Sequence, residues 1–164
     1  MNARREAVQQ GMYDPRFEHD ACGVGFVCNY KGTRSHGVIS QGLEVLSRLS
    51  HRGATGADPL TGDGAGILIQ IPHEFFLREC VKLTIPLPEA GSYGVGMIFL
   101  PVLDRERRQC KDIVERIARE EGCPVLGWRQ VPVDASGIGV TARRTQPAIE
   151  QVFLAPSREM LARV

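Results

Sequence analysis

The 164 residues hold no apolar run near the roughly 18 needed to span a bilayer as a helix. Neither charge dominates: 20 Lys and Arg stand against 19 Asp and Glu, a net charge of +1, which removes any electrostatic argument for nucleic acid or an anionic membrane as partner. The first residues carry Arg4 and Arg5 but no apolar core, which excludes a secretory signal. The five cysteines have no zinc-type spacing, and His19, His36, His51 and His73 form no i, i+4 pair, so nothing suggests a metal centre. A reduced, cytoplasmic setting is expected. Asparagine is confined to Asn2 and Asn29, and neither precedes a glycine.

What is present is a globular composition, 43% hydrophobic and 24% charged, long enough for one domain with a real core. The most informative stretch is Glu18-His19-Asp20-Ala21-Cys22-Gly23-Val24-Gly25-Phe26-Val27. A polar, charged leader of residues 1–21 ends at Cys22, and residues 22–164 read as the ordered domain. Cutting the bond before Cys22 would place a thiol and a free α-amine on one residue. An α-amine has a pKa of about 7.7–8.0, so it can accept a proton near neutrality where an amide nitrogen cannot. Cys22 is therefore a candidate nucleophile with a built-in base. The plainer reading is a small buried hydrophobe at the start of a strand.

Alternation predicts a strand over 22–30, with Cys22, Val24, Phe26 and Cys28 on one face and Gly23, Gly25 and Val27 on the other. Ser35 is a candidate N-cap for a helix carrying Ile39, Leu43, Leu46 and Leu49, which should run out at His51-Arg52-Gly53 with Gly53 as a left-handed cap. A β-like run over 67–71, a short helix around Phe75-Phe76-Leu77 and a strand over 93–100 follow. Residues 104–121 predict an amphipathic helix, capped by Asp104, lined by Cys110, Ile113, Val114, Ile117 and Ala118, and ended by Gly122. Strands over 125–133 and 151–154 complete an order that suggests a layered α/β arrangement.

Between the first helix and the 67–71 run lies a glycine-rich loop, His51-Arg52-Gly53-Ala54 through Gly62-Asp63-Gly64-Ala65-Gly66. Arg52 can hold a carboxylate in a bidentate fork, although a helix end before a surface loop explains it equally. The Gly62-x-Gly64-x-Gly66 pattern lacks both the dinucleotide fingerprint and the Walker lysine. Asp58 and Asp63 could pair as acid and base, but aspartates in such turns commonly bond to their own backbone. Arg105, Arg107 and Arg108 read as a solvated face, and Trp128 as packing.

Taken together, Tyr13-Asp14-Pro15, Glu18 to Phe26, His51-Arg52-Gly53-Ala54, Gly56 to Pro59, Thr61 to Leu68 and Gln70 to Phe76 resemble the start of the glutamate synthase large subunit, strongly over about residues 12–80. The resemblance implies a class II glutamine amidotransferase domain of the N-terminal-nucleophile type, an α/β fold built as an αββα sandwich, here incomplete. It implies that residues 1–21 are a propeptide, that Cys22 hydrolyses glutamine, and that Arg52 and Gly53 line its pocket. In that family the ammonia moves to a flavin barrel, where 2-oxoglutarate becomes glutamate. FMN and an iron–sulfur cluster therefore belong to the full-length enzyme, which has further synthase domains and in some cases a reductase subunit. No cofactor is expected in this chain.

The family's Asn-Gly oxyanion pair and its glutamine-clamping Arg/Thr segment have no match here and are expected beyond Val164, so the isolated chain is expected to be poorly active and prone to aggregation. Two alternatives remain: an amidotransferase of another class II family, and a non-catalytic fragment acting as a binding or assembly module.

Overall fold

The computed structural model describes residues 23–53 and 58–157. They belong to two compact units, one formed by Met1–Thr55 and Gly62–Ile67, the other by Gly56–Thr61 and Leu68–Val164. The chain mixes helices with a small antiparallel sheet, an arrangement compatible with the expected α/β class.

In the first unit, helix α1 spans His36–Arg48. Ser35 has extended backbone, and its hydroxyl accepts from the Gly37 N–H at 3.1 Å, as an N-cap should. Glu44 and Arg48 pair one turn apart at 2.6 Å. The helix then tightens into a single 3₁₀ turn, Ser50–Arg52. Leu49 N–H is shared between the carbonyls of Val45 and Leu46, and Arg52 N–H donates to Leu49 O at 2.8 Å. Tightening satisfies the terminal carbonyls without a left-handed residue, so Gly53 is extended (φ −85°, ψ 148°) and not the cap the sequence suggested.

Residues 23–29 lie against α1 but form no sheet strand. The alternation correctly sorts the faces. A methyl group on Gly25 would stand 2.6 Å from Val45 Cγ1, so the helix-facing side must be bare there. Val24 and Phe26 point away and are 88% and 89% exposed. Period-two patterning reports extended backbone, but a ladder also needs a second strand, and none is paired here among the described residues. The run over 67–71 likewise forms no strand.

The second unit holds the sheet, with strands β1 (Gly94–Leu100), β2 (Val125–Gln130) and β3 (Ala148–Leu154) in the order β1-β3-β2, all antiparallel. Central β3 places Phe153 opposite both Val95 and Gly127. Helix α2 (His73–Lys82) delivers Phe76 and Cys80 to this face, where they join Ile85, Tyr93 and Phe153 in the core. Phe76 meets Phe153 edge-on, ring centroids 5.2 Å apart, the geometry favoured by ring quadrupoles.

Helix α3 spans Asp104–Glu120. Its N-cap is Leu103, and Asp104 sits inside the first turn, paired with Arg107 rather than capping. Gly122 ends it as expected. At φ +72° its N–H donates to Arg119 O and the Cys123 N–H to Ala118 O, a Schellman closure that favours glycine. Ile113 and Ile117 remain half-exposed, and α3 is tied down through its polar residues. Lys111 Nζ reaches Glu150 Oε2 at 2.7 Å and lies 4.6 Å from the Trp128 ring centroid, whose Nε1 donates to Glu115 Oε1. Arg107 also leans toward Glu150 at 3.7 Å, so it is not part of a solvated face. A short helix that the sequence did not announce, α4, spans Val140–Arg144.

Candidate active site

Cys22, the sequence's candidate nucleophile, lies outside the described residues. Its neighbour Gly23 is described, and it borders the second candidate. A methyl group built on Gly23 would stand 3.4 Å from Cβ and Cγ of Arg52 and 3.0 Å from Cδ2 of Leu49. The 3₁₀ turn thus brings the stem of Arg52 against the backbone immediately after position 22. Arg52 itself is exposed, and Gly53 follows it with extended backbone, its N–H donating to Ser50 O at 3.2 Å. His51 is held by Nδ1 on Arg48 O at 2.9 Å.

Asp58 does what an aspartate in a turn is expected to do, and more. Its Oδ1 accepts from the Leu60 N–H at 3.1 Å, the local Asx pattern. Its Oδ2 accepts from the Thr61 hydroxyl at 2.9 Å and from the backbone N–H of Thr141 at 3.2 Å, 83 residues away. The Thr141 N–H, the Thr61 hydroxyl and the Leu60 N–H, in that order of effect, hold the Asp58 carboxyl below the usual range. Nothing in the residue spacing pointed to the distant partner. This arrangement leaves Asp58 occupied as an acceptor.

In the second unit, Tyr93 Oη and His73 Nδ1 are 3.2 Å apart, and burial pushes the Tyr93 hydroxyl and the Cys80 thiol above their ordinary pKa. Cys28, Cys80, Cys110 and Cys123 are free thiols. Among the described residues no three His, Cys, Asp or Glu side chains gather as metal ligands. No helix among them is long and apolar enough to cross a membrane.

Comparison with known proteins adds the family. The NADPH glutamate synthase large chain of Bacillus subtilis is 46% identical over 151 residues, which is 92% of this chain and 10% of that protein. The NADH glutamate synthase of Saccharomyces cerevisiae is 43% identical over 153 residues, covering 90% of this chain and 7% of its own length. The ferredoxin-dependent glutamate synthase 1 of Arabidopsis thaliana is 42% identical over 142 residues, covering 87% and 9%. The chain therefore spans a tenth or less of the length of these relatives. The family described as glutamine amidotransferases class-II matches residues 22–163. With residues 22–163 of its 164 matched, the chain belongs to the class II glutamine amidotransferases.

Proposed function

We propose that this chain carries the glutamine-hydrolysing centre of a glutamate synthase and that Cys22, made terminal by loss of residues 1–21, is its nucleophile. The observation that carries the reading is where the family match begins: at residue 22, on the cysteine, leaving the polar leader outside. The relatives' names support the synthase context. The reaction needs three groups. The Cys22 thiolate attacks the side-chain amide carbon of glutamine, and its α-amine passes the thiol proton to the leaving nitrogen, so ammonia departs and a γ-glutamyl thioester remains. Water, deprotonated by the same amine, then cleaves the thioester, releasing glutamate and restoring the thiol. In this reading Arg52, whose stem lies beside Gly23, offers its guanidinium to a substrate carboxylate, and Gly53 is the neighbouring pocket wall.

The wider αββα sandwich, the transfer of ammonia to 2-oxoglutarate, and the flavin and iron–sulfur chemistry are part of this proposal at the level of the complete polypeptide. Three measurements test the reading. Mass spectrometry of the mature enzyme should find Cys22 as its first residue. A glutamine-analogue electrophile should label that cysteine. Cys22→Ser should abolish glutamine-dependent glutamate formation while ammonia-dependent formation continues. Equal loss of both activities, or full activity with the leader retained, would sink it.

A further inference from the structure

Two glycines meet helix α1 at points one turn apart. A methyl group on Gly25 would stand 2.6 Å from Val45 Cγ1, and one on Gly23 would stand 3.0 Å from Leu49 Cδ2 and 3.4 Å from Cβ of Arg52. Val45 and Leu49 are separated by four helical residues, about 6 Å along the axis. Two residues of chain near full extension, at about 3.3–3.6 Å each, just cover that distance. The segment after residue 22 and the helix therefore mesh in opposite directions, one pair of residues per turn. The notches also exclude other alignments. A slide of two residues would press Val27 against Val45, or Ala21 against Leu49. A slide of one would turn Val24 with Phe26, or Cys22 with Val24, onto the helix. Val24 and Phe26 are almost fully exposed on the other face, so the described residues hold the segment from the helix side.

We propose that Val45 and Leu49 are positioning residues for Cys22, acting through the bare backbone of Gly23 and Gly25. The inference rests on the glutaminase reading above. All four residues belong to the first unit, and a single peptide bond joins Gly23 to residue 22. A methyl group at position 25 has to move about 1 Å from Val45 to reach an ordinary carbon contact of about 3.5 Å. A displacement of that size at a reacting group can cost about a hundredfold. The notches touch neither substrate nor the reacting atoms, so the loss belongs in kcat and not in glutamine KM.

The test uses the complete polypeptide, with rates expressed per molecule that mass spectrometry shows to begin at Cys22. Gly25→Ala should lower the glutamine-dependent kcat about tenfold to a hundredfold, with glutamine KM within about twofold of the parent's and the ammonia-dependent rate unchanged. Adding Val45→Ala makes room for the new methyl group and should return kcat to within about threefold of the parent's. Leu43→Ala, at an exposed residue of α1 outside this contact, should rescue nothing. If Gly25→Ala does not accumulate, Gly23→Ala, whose contact is looser, carries the same comparison with Leu49→Ala as its partner. A parent-like kcat in the glycine variant, or a loss that its partner substitution does not relieve, would overturn the positioning role. Loss of glutamine-dependent activity in Cys22→Ser within that experiment keeps the glutaminase reading standing when the notches fail. Retained activity in Cys22→Ser would remove both.

Discussion

Arg129 carries its charge into the interior of the second unit, with its side chain 9% exposed. A guanidinium is tolerated there only if its donors are used. Nη1 donates to Gln151 Oε1 at 3.0 Å and Nη2 to Glu79 Oε2 at 3.1 Å, while the group lies 5.3 Å from the Phe75 ring centroid. Glu79 has a second cation, Lys82, at 2.6 Å, and these two partners, Lys82 first, hold its carboxyl below the ordinary pKa. Arg129→Ala would leave the buried Gln151 oxygen without its donor and open space beneath Phe75. The expected cost is about 1–3 kcal/mol, that of a buried acceptor left unsatisfied, read as a fall in the urea midpoint at unchanged slope. A midpoint equal to the parent's would show that the cluster contributes no net stability. The sequence presents Arg129 as one arginine among many in a strand. Its partners come from α2 and β3, and no local pattern reports them.

At the scale of elements, what could be read in advance was what neighbouring residues decide. The Ser35 cap, the α3 span and its Gly122 closure are local arrangements, and the structure has them. Expectations failed where the outcome depends on a distant partner. The runs 23–29 and 67–71 have strand-like composition without a ladder, and α4 is five residues long, too short to show a hydrophobic period. The candidate site divides in the same way. Cys22, Arg52 and Gly53 are expectations from motif and position, and the Asx half of Asp58 is legible from the turn, whereas its hold on Thr141 is not. That hold has a pH signature. Because the Asp58 carboxyl titrates lower in the folded chain than in the unfolded one, its contribution is complete above the unfolded aspartate value, about 3.9, and is lost as pH falls through the lower folded value. The amide of Thr141 should therefore lose exchange protection below about pH 4, after correction for intrinsic exchange, in the parent. In Asp58→Ala it should be unprotected throughout. Protection in the parent that persists unchanged into acid would mean that the charge is not what holds the helix start.

Across the whole chain, apolar burial is unevenly divided. Every buried apolar side chain among the described residues (Phe76, Cys80, Ile85, Tyr93, Leu100, Val152 and Phe153) belongs to the second unit. Helix α1 buries none, and Val24 and Phe26 of the first unit are almost fully exposed. Since burial stabilises by about 25 cal/mol per Å² of apolar surface, the two units should not open together. Arg52 and Gly53 lie in the unit with the weaker hold, while Asp58 and Thr61 lie in the firmer one. Hydrogen exchange of this chain in increasing urea separates the possibilities. Amides of β3 should exchange only through global unfolding, with a steep denaturant dependence. Those of α1 should exchange faster and with a shallow dependence, as local opening requires. Equal protection and equal slopes in α1 and β3 would show one cooperative unit, and the uneven burial would then have no energetic consequence.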